Sequence, residues 1–461
     1  MPFVILPTNS ASGGYDITNS LRFNSGSSDD LNRTFTTPTN NKIFTWSGWV
    51  KRSSLGTMST IFRTIANGSN VSTGFRFEET SNIFRFFFFN ASDGDLQTTQ
   101  VFRDVSAWYH LVVAVDTTQA TSSNRVKIYS NGSQITSFST ATYPTQNYNP
   151  QMNSAINHFI GKYSVVDEYY NGYMSDVFFI DGQQLTPTSF GETDEDTGIW
   201  KPKAYTGTYG TNGFYLQFKN SASLGTDSSG NGNNFTVNNL TSIDQTTDTP
   251  TNNYCTMNPL DNYWQSSTFT EGNLQVQTSN TQYSPNYGTI GVSKGKWYWE
   301  VKVTAQSSSG VLPMIGVAST QCSSASQELG YSANDYGFAT FSGNIRSNST
   351  NNTYGNAISL GDIVSVALDL DNNTIKFYIN GTVQNSGTPY SITASSSTVL
   401  GNYFPAYGDF SSSNNTTAQF NFGNPPYSAN GYTDGAGYGN FSYAVPSGYY
   451  SLNTRNLANF G

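Results

Sequence analysis

Gly361-Asp-Ile-Val-Ser-Val-Ala-Leu-Asp-Leu-Asp-Asn-Asn-Thr-Ile-Lys-Phe-Tyr-Ile-Asn-Gly381 is the stretch that decides the fold. Val364, Val366, Leu368 and Leu370 alternate with Ser365, Ala367 and Asp369, and a period of two turns one face of a strand inward. Thr374-Ile-Lys-Phe-Tyr-Ile379 is closed by Asn380-Gly381, a pair that supplies the positive φ of a two-residue hairpin turn. The stretches around it read the same way. Gly295-Lys-Trp-Tyr-Trp-Glu-Val-Lys-Val303, and Tyr403-Phe-Pro-Ala-Tyr407 leading to Asn421-Phe-Gly423, each predict a buried or half-buried strand.

Working outward, the chain has 461 residues, too many for one ordinary core, so two or more domains are expected. Only 11% of residues are charged while 15% are aromatic, and Gly, Ser, Thr and Asn are abundant. Asn, Ser and Gly disfavour helix interiors and suit turns, whereas Tyr, Phe, Thr and Val suit strands. The class expected is all-β. The net charge is −9 and the 21 basic residues are scattered, which argues against nucleic acid, since a phosphate backbone needs clustered Lys and Arg. The early apolar run Phe3-Val-Ile-Leu6 has no basic flank and is too short for a signal peptide or a membrane span. The expectation is a soluble chain, not inserted in membranes and not exported by the usual secretory route. Cys255 and Cys322 make no disulfide framework and read as two thiols. Without a secretory signal, triplets such as Asn67-Gly-Ser69 and Asn131-Gly-Ser133 read as turn composition rather than glycan acceptors.

The ordered motifs of the C-terminal third resemble those of a SPRY domain over roughly residues 270 to 445. That resemblance implies a β-sandwich that binds partners and carries no chemistry of its own. The N-terminal part has its own strand signals. Phe44-Thr-Trp-Ser-Gly-Trp-Val50 alternates large and small residues, Gly74-Phe-Arg-Phe77 follows, and Ile83-Phe-Arg-Phe-Phe-Phe-Phe89 suits a strand buried on both faces. Ala107-Trp-Tyr-His-Leu-Val-Val-Ala-Val-Asp116 precedes Arg125-Val-Lys-Ile-Tyr-Ser-Asn-Gly-Ser133, and Tyr170-Asn-Gly-Tyr-Met-Ser-Asp-Val-Phe-Phe-Ile180 closes the series. The order is similar to that of the laminin G-like, or concanavalin A-like, domain. Lys127-Ile-Tyr-Ser-Asn-Gly132 and Lys376-Phe-Tyr-Ile-Asn-Gly381 look alike because both families use one hairpin solution in a two-sheet sandwich. The expected organisation is a laminin G-like sandwich over 1–200, a turn-rich connecting segment over 201–269 that packs on one or both sandwiches, and a SPRY-like sandwich with a C-terminal extension over 270–461.

Two further segments, Asp248-Thr-Pro-Thr-Asn-Asn-Tyr-Cys-Thr-Met-Asn-Pro-Leu260 and Tyr443-Ala-Val-Pro-Ser-Gly-Tyr-Tyr-Ser-Leu-Asn-Thr-Arg-Asn-Leu457, resemble phage-encoded proteins that carry SPRY-like sandwiches. This second resemblance implies a virion protein made in the bacterial host cytoplasm, with virion proteins as partners, host surface glycans as further ligands, and homo-oligomeric assembly.

Groups fit for catalysis are sparse. His110 sits in an apolar strand segment and His158 is the only other histidine. No Gly-x-Ser-x-Gly elbow and no His-Glu-x-x-His motif occurs, and the cysteines lack zinc-site spacing. The concanavalin-like resemblance also covers glucanases, so the rival expectation is a polysaccharide-degrading enzyme using Glu192, Asp194 and Glu195. Those residues read first as a solvated acidic loop. No cofactor is expected. Calcium has two sequence candidates: Asp227-x-Ser229-x-Asn231-Gly232, with Asn238 where a calcium loop needs its bidentate Glu, and the weaker Asp369-x-Asp371-x-Asn373. The laminin G-like resemblance adds Asp167 and Glu168 by position. For ligand binding, aromatic platforms beside planar amides and carboxylates mark Asp167, Glu168, Tyr169, Tyr170 and Asn171 in the first sandwich. Tyr331, Asp335, Tyr336, Asn402 and Tyr403 are their counterparts in the second. The reading is a non-catalytic phage virion surface protein, a head decoration or a fibre-associated appendage.

Overall fold

The alternating stretches become antiparallel ladders. Ile363–Asp369 pairs with Thr374–Ile379 in the register Val364 to Ile379 through Asp369 to Thr374. Asn380 (φ 48°) and Gly381 (φ 77°) then turn the chain so that Ile379 faces Thr382. The same device joins Val126–Ser130 to Ser133–Ile135 through Asn131 (φ 47°) and Gly132 (φ 81°). Asn and Gly are the residues that tolerate two consecutive positive φ values. These features come from a computed structural model that describes residues 14–65, 72–88, 93–163, 168–308, 310, 313–411 and 413–461.

The chain divides into two compact units, parted between Thr251 and Asn252. In the first, one eight-stranded sheet runs in the spatial order Ser133–Ile135, Val126–Ser130, Trp108–Asp116, Ile43–Arg52, Gly172–Asp181, Ser20–Phe23, Gln245–Thr246, with Phe214–Leu216 also paired to Gly172–Asp181. A second eight-stranded sheet runs Phe138–Thr142, Asp95–Val101, Ile83–Phe87, Gly74–Phe77, Ser59–Ile65, Asn157–Ile160, Asp30–Thr34, Thr236–Asn238. Trp46, Val50, Phe62, Phe75, Phe84, Phe86, Leu111, Val113 and Phe179 share the core of this unit. The Phe run splits by parity: Phe84, Phe86 and Phe88 enter that core, while Phe87 turns to the opposite face and is buried there. Phe89, at the end of the run, lies outside the described residues, as do the early run Phe3–Leu6 and the Asn67 triplet.

The second unit holds a nine-stranded and a six-stranded sheet. Its core is built from Trp297, Trp299, Val301, Ile315, Phe338, Val364, Val366, Leu368, Phe377, Tyr407 and Phe420. The strand Ile363–Asp369 is buried along its whole length. Its second face is covered because Ala367 packs with Tyr298 and Phe441 of the C-terminal segment. Glu300, fully buried, pins that segment down: its carboxylate accepts from the backbone N–H groups of Ser442 (2.9 Å) and Tyr443 (2.9 Å), from Asn421 Nδ2 (3.0 Å) and from the Tyr298 hydroxyl (3.1 Å). Asp434 does the same a few residues earlier, accepting from Ser451 N and Asn456 Nδ2 through one oxygen and from Ala436 N and Tyr438 N through the other. The helix Thr454–Phe460 is N-capped by Asn453, whose side chain accepts from Asn456 N at 2.9 Å.

The turn-rich stretch 201–269 forms no body of its own. Phe214–Leu216, Thr236–Asn238 and Gln245–Thr246 are rungs in the sheets of the first unit. A buried ion pair, Lys51 Nζ to Asp248 Oδ2 at 2.9 Å, and a Trp108 Nε1 bond to Asp248 Oδ1 at 3.2 Å fasten its middle there. From Asn252 onward the residues join the second unit, where Cys255 N donates to Leu452 O at 2.9 Å. Among the described residues, no helix is long and apolar enough to cross a membrane.

Candidate binding surfaces

In the second sheet of the first unit, three arginines occupy the outward positions between inward phenylalanines: Arg63 after Phe62, Arg76 between Phe75 and Phe77, Arg85 between Phe84 and Phe86. Arg76 and Arg85 are direct cross-strand partners. Like charges facing one another repel, and carboxylates relieve the repulsion. Glu168 accepts from Arg76 Nη1 at 3.0 Å and Arg63 Nη1 at 3.4 Å, Glu78 from Arg76 Nε at 3.0 Å, and Asp95 from Arg85 Nε at 2.8 Å. Phe87 lies among all three guanidiniums, 4.8 to 5.6 Å from its ring centroid, and the Arg63 guanidinium lies 3.1 Å from the centroid of Tyr163. Burial lowers Arg63 to about 10. Three cations meet three carboxylates, so this half-buried face offers planar donors and acceptors without net charge.

This network determines what the candidates of the first sandwich can do. Glu168 is committed to the arginines, and a carboxylate held by guanidiniums is a poor calcium ligand. Tyr169 is half-buried with the Lys162 ammonium 5.2 Å from its ring centroid. Tyr170 is no surface platform. It is fully buried, packs in the core, and donates its hydroxyl to Lys51 O at 2.9 Å. Asn171 is buried and accepts from Ser53 N through its carbonyl. Asp167 lies outside the described residues.

The candidates of the second sandwich form no surface cluster either. Tyr336 and Tyr403 belong to the core, joined through Thr393: Tyr336 OH accepts from Thr393 N at 2.9 Å and Tyr403 OH donates to Thr393 O at 2.7 Å. Asp335 is buried, accepts from Ser319 N at 3.1 Å, and is pushed by burial to about 7. Asn402 is half-buried and donates to Leu400 O. Tyr331 alone of the five is exposed, at 45%. The neighbouring amides and carboxylates that made Tyr336 and Tyr403 look like platforms do not keep these two rings at the surface.

His110, Asp194, Asp227 and Asp369 are engaged in structural bonds, whereas Glu192 and Glu195 are exposed, Glu192 lying 3.6 Å from Lys201 Nζ. His110 Nδ1 accepts from Trp200 Nε1 at 3.0 Å, so its Nε2 carries the hydrogen and donates to Ser47 Oγ at 2.8 Å. A base that donates to the hydroxyl does not activate it, and both residues are buried. Burial holds His110 and His158 at about 3. Asp194 caps its own turn, accepting from Thr197 N, Thr197 Oγ1 and Asp196 N, and Lys201 sits 3.1 Å away. Its bonds to Lys201 and Thr197 hold it at about 2. The carboxylate of Asp227 accepts from Tyr215 N, Ser229 N, Ser229 Oγ and Asn233 N, which leaves a closed Asx turn rather than a cation cradle. Asp369 is taken by Asn372 and by Lys296 at 3.0 Å. Among the described residues no cluster of three or more His, Cys, Asp or Glu could hold a metal ion.

Two groups of residues carry no mark in the sequence patterns above. One is the Arg63, Arg76, Arg85 set, whose signal was a charged residue inside each Phe-rich run. The other is Leu260, Tyr263 and Trp264, which are 54%, 82% and 37% exposed in a stretch that composition marks only as connector.

Residues 23–189 match the concanavalin A-like lectin/glucanases superfamily, and residues 296–425 match the SPRY domain. A solved structure, the SPRY domain of human HERC1, is 16% identical, covers 32% of this chain and 87% of its own, and superposes with a TM-score of 0.24. A concanavalin A-like domain followed by a SPRY domain points to a binding module.

Proposed function

We propose that this chain is a non-catalytic binding protein of a bacteriophage virion surface, a head decoration or a fibre-associated appendage. It is made in the host cytoplasm, assembles as a homo-oligomer, and engages virion proteins and host surface glycans. The observation that carries the reading is the meeting of its two phage-like segments. They are distant in sequence, yet Tyr254 bridges to Asn453, Asn253 N donates to Thr454 Oγ1 at 3.0 Å, Thr454 N donates to Asn253 O at 2.9 Å, and Cys255 N donates to Leu452 O. The two segments that carry the resemblance thus form one joined structural element. The absence of catalysis is supported by His110, Asp194, Asp227 and Asp369, each of which is held in a structural bond.

Mass spectrometry of purified particles, followed by electron cryomicroscopy, tests the reading. Density on the capsid lattice makes the protein a decoration, density at the tail makes it an appendage, and its absence from particles refutes the proposal. Cleavage of a host polysaccharide that disappears in a folded Glu192→Gln, Asp194→Asn, Glu195→Gln variant would refute the non-catalytic part.

A further inference from the structure

We propose that the loop from Asn258 to Ser267 is a carbohydrate site that stacks a neutral pyranose ring on Tyr263 and Trp264. The inference rests on the glycan-engaging part of the function above and gives it a place in the second unit. The two rings stand nearly perpendicular, at 83°, with centroids 4.8 Å apart. They form a corner, one wall of which can take the apolar face of a sugar while the other meets its edge. Exposing a tyrosine at 82% and a tryptophan beside it leaves large apolar faces in water.

The loop that carries them is tightly bonded. Asn262 clamps Ser267 with both ends of its amide, Oδ1 from Ser267 N at 2.7 Å and Nδ2 to Ser267 O at 2.8 Å, and Ser266 N donates to Asn262 O at 3.0 Å. Asn286 braces the clamp through Asn262 Oδ1 at 3.1 Å and Ser267 Oγ at 2.5 Å. Asn258 holds the other end, its N donating to Tyr287 O at 2.8 Å and its Oδ1 accepting from Leu260 N at 3.0 Å. Gln265, buried, accepts from Ser279 N. Every flank of the aromatic pair is anchored, so little ordering cost remains for a ligand.

The chemistry of the loop selects the occupant. Asn258-Pro-Leu-Asp-Asn-Tyr-Trp-Gln-Ser-Ser267 contains no Lys or Arg, so it offers no partner for a phosphate or an acidic sugar. Asp261, the one charged residue of the loop, is bonded to the Gln321 amide and would repel an acidic sugar. Two aromatic side chains bury about 150–250 Å² each, well short of the roughly 1,200–2,000 Å² of a specific protein interface. Two rings at a corner match the faces of a single sugar ring.

The test uses the full chain and its Tyr263→Ala/Trp264→Ala double variant on an array of neutral bacterial surface polysaccharides together with cello-, malto-, laminari- and chito-hexaose. A Trp264→Phe variant serves as the conservative control. The expected result is binding of at least one neutral glycan, weakened by about tenfold or more in the double variant and largely kept in Trp264→Phe, with the melting temperature unchanged because both rings are exposed. Glycan binding that survives the double substitution overturns the site and leaves the glycan reading standing. An array on which the parent binds nothing overturns both. Loss of a virion-protein contact with glycan binding intact assigns the loop to a protein and overturns the proposal.

Discussion

Lowering the pH from 7 to 5 is expected to move the stabilities of the two sandwiches in opposite directions. In the first, burial lowers His110 and His158 from 6.5 to about 3. Folded, they stay neutral; unfolded, they take up protons below 6.5. The unfolded state therefore binds more protons, and stability is lost as the pH falls from 6.5 toward 3. Over the interval from pH 7 to 5 each histidine removes about 2 kcal/mol. Asp176 opposes them, because burial raises it from 3.8 to about 6 and its folded form takes the proton first. It returns about 1 kcal/mol, leaving the first sandwich about 2–3 kcal/mol weaker. In the second sandwich, burial raises Asp335 and Asp409 from 3.8 to about 7. Their charged forms destabilise the fold near neutrality, and each regains about 2 kcal/mol as it is protonated in place. Burial raises Glu300 as well, in the same direction. Asp194 and Asp369 are lowered and act only below this window. Hydrogen exchange by mass spectrometry, corrected for intrinsic rate, reads each sandwich separately. Peptides spanning Trp108–Asp116 should lose protection at pH 5 while those spanning Ile363–Asp369 gain it. A His158→Gln variant should remove about 2 kcal/mol of the first effect, which is most of it. A shift of both sandwiches in one direction, or a first sandwich that strengthens, would refute the reasoning.

Four substitutions probe other parts of the structure. Glu300→Gln sets an amide N–H₂ against donors from Ser442, Tyr443, Asn421 and Tyr298, and should cost about 2–4 kcal/mol in urea unfolding, with faster exchange concentrated at residues 440–445. Glu168→Ala leaves Arg63 and Arg76 without their shared carboxylate, and should cost about 2–3 kcal/mol; unchanged stability would mean that water screens the cluster. Gly381→Ala places a Cβ at φ 77°, 2.6 Å from the Tyr443 ring, and should cost about 1–3 kcal/mol in thermal unfolding, whereas Gly361→Ala, with φ 94° but open space around it, should cost only the backbone strain of about 1 kcal/mol.

The sequence is most legible where the determining interactions are local. The period of two in Val364–Leu370, the Asn-Gly pairs at 131–132 and 380–381, and the Trp-rich strand starting near Gly295 all predict their elements within a few residues of where they stand. Two concanavalin-like and SPRY-like regions were readable from the order of these elements, and the family matches fall inside them. Least legible were Tyr170, Tyr336 and Tyr403. A tyrosine beside polar residues looks the same whether its strand lies under a neighbour or on the surface, and only the packing buries these three.

By itself, then, the sequence determined the class and the order of strands, because alternation and turn chemistry act over a handful of residues. Tertiary structure decided everything that depends on pairing across distance. It placed Arg76 opposite Arg85 and brought Glu168 to Arg76 from 92 residues away. It drew Asp248 onto Lys51 and thereby gave the strands of the presumed connector to the first sandwich. It folded the C-terminal segment over Ile363–Asp369, so that a strand patterned for one buried face has two. Register, bulges and coverage by remote segments are set by the free energy of burying whole faces together, and no window of neighbouring residues contains that information.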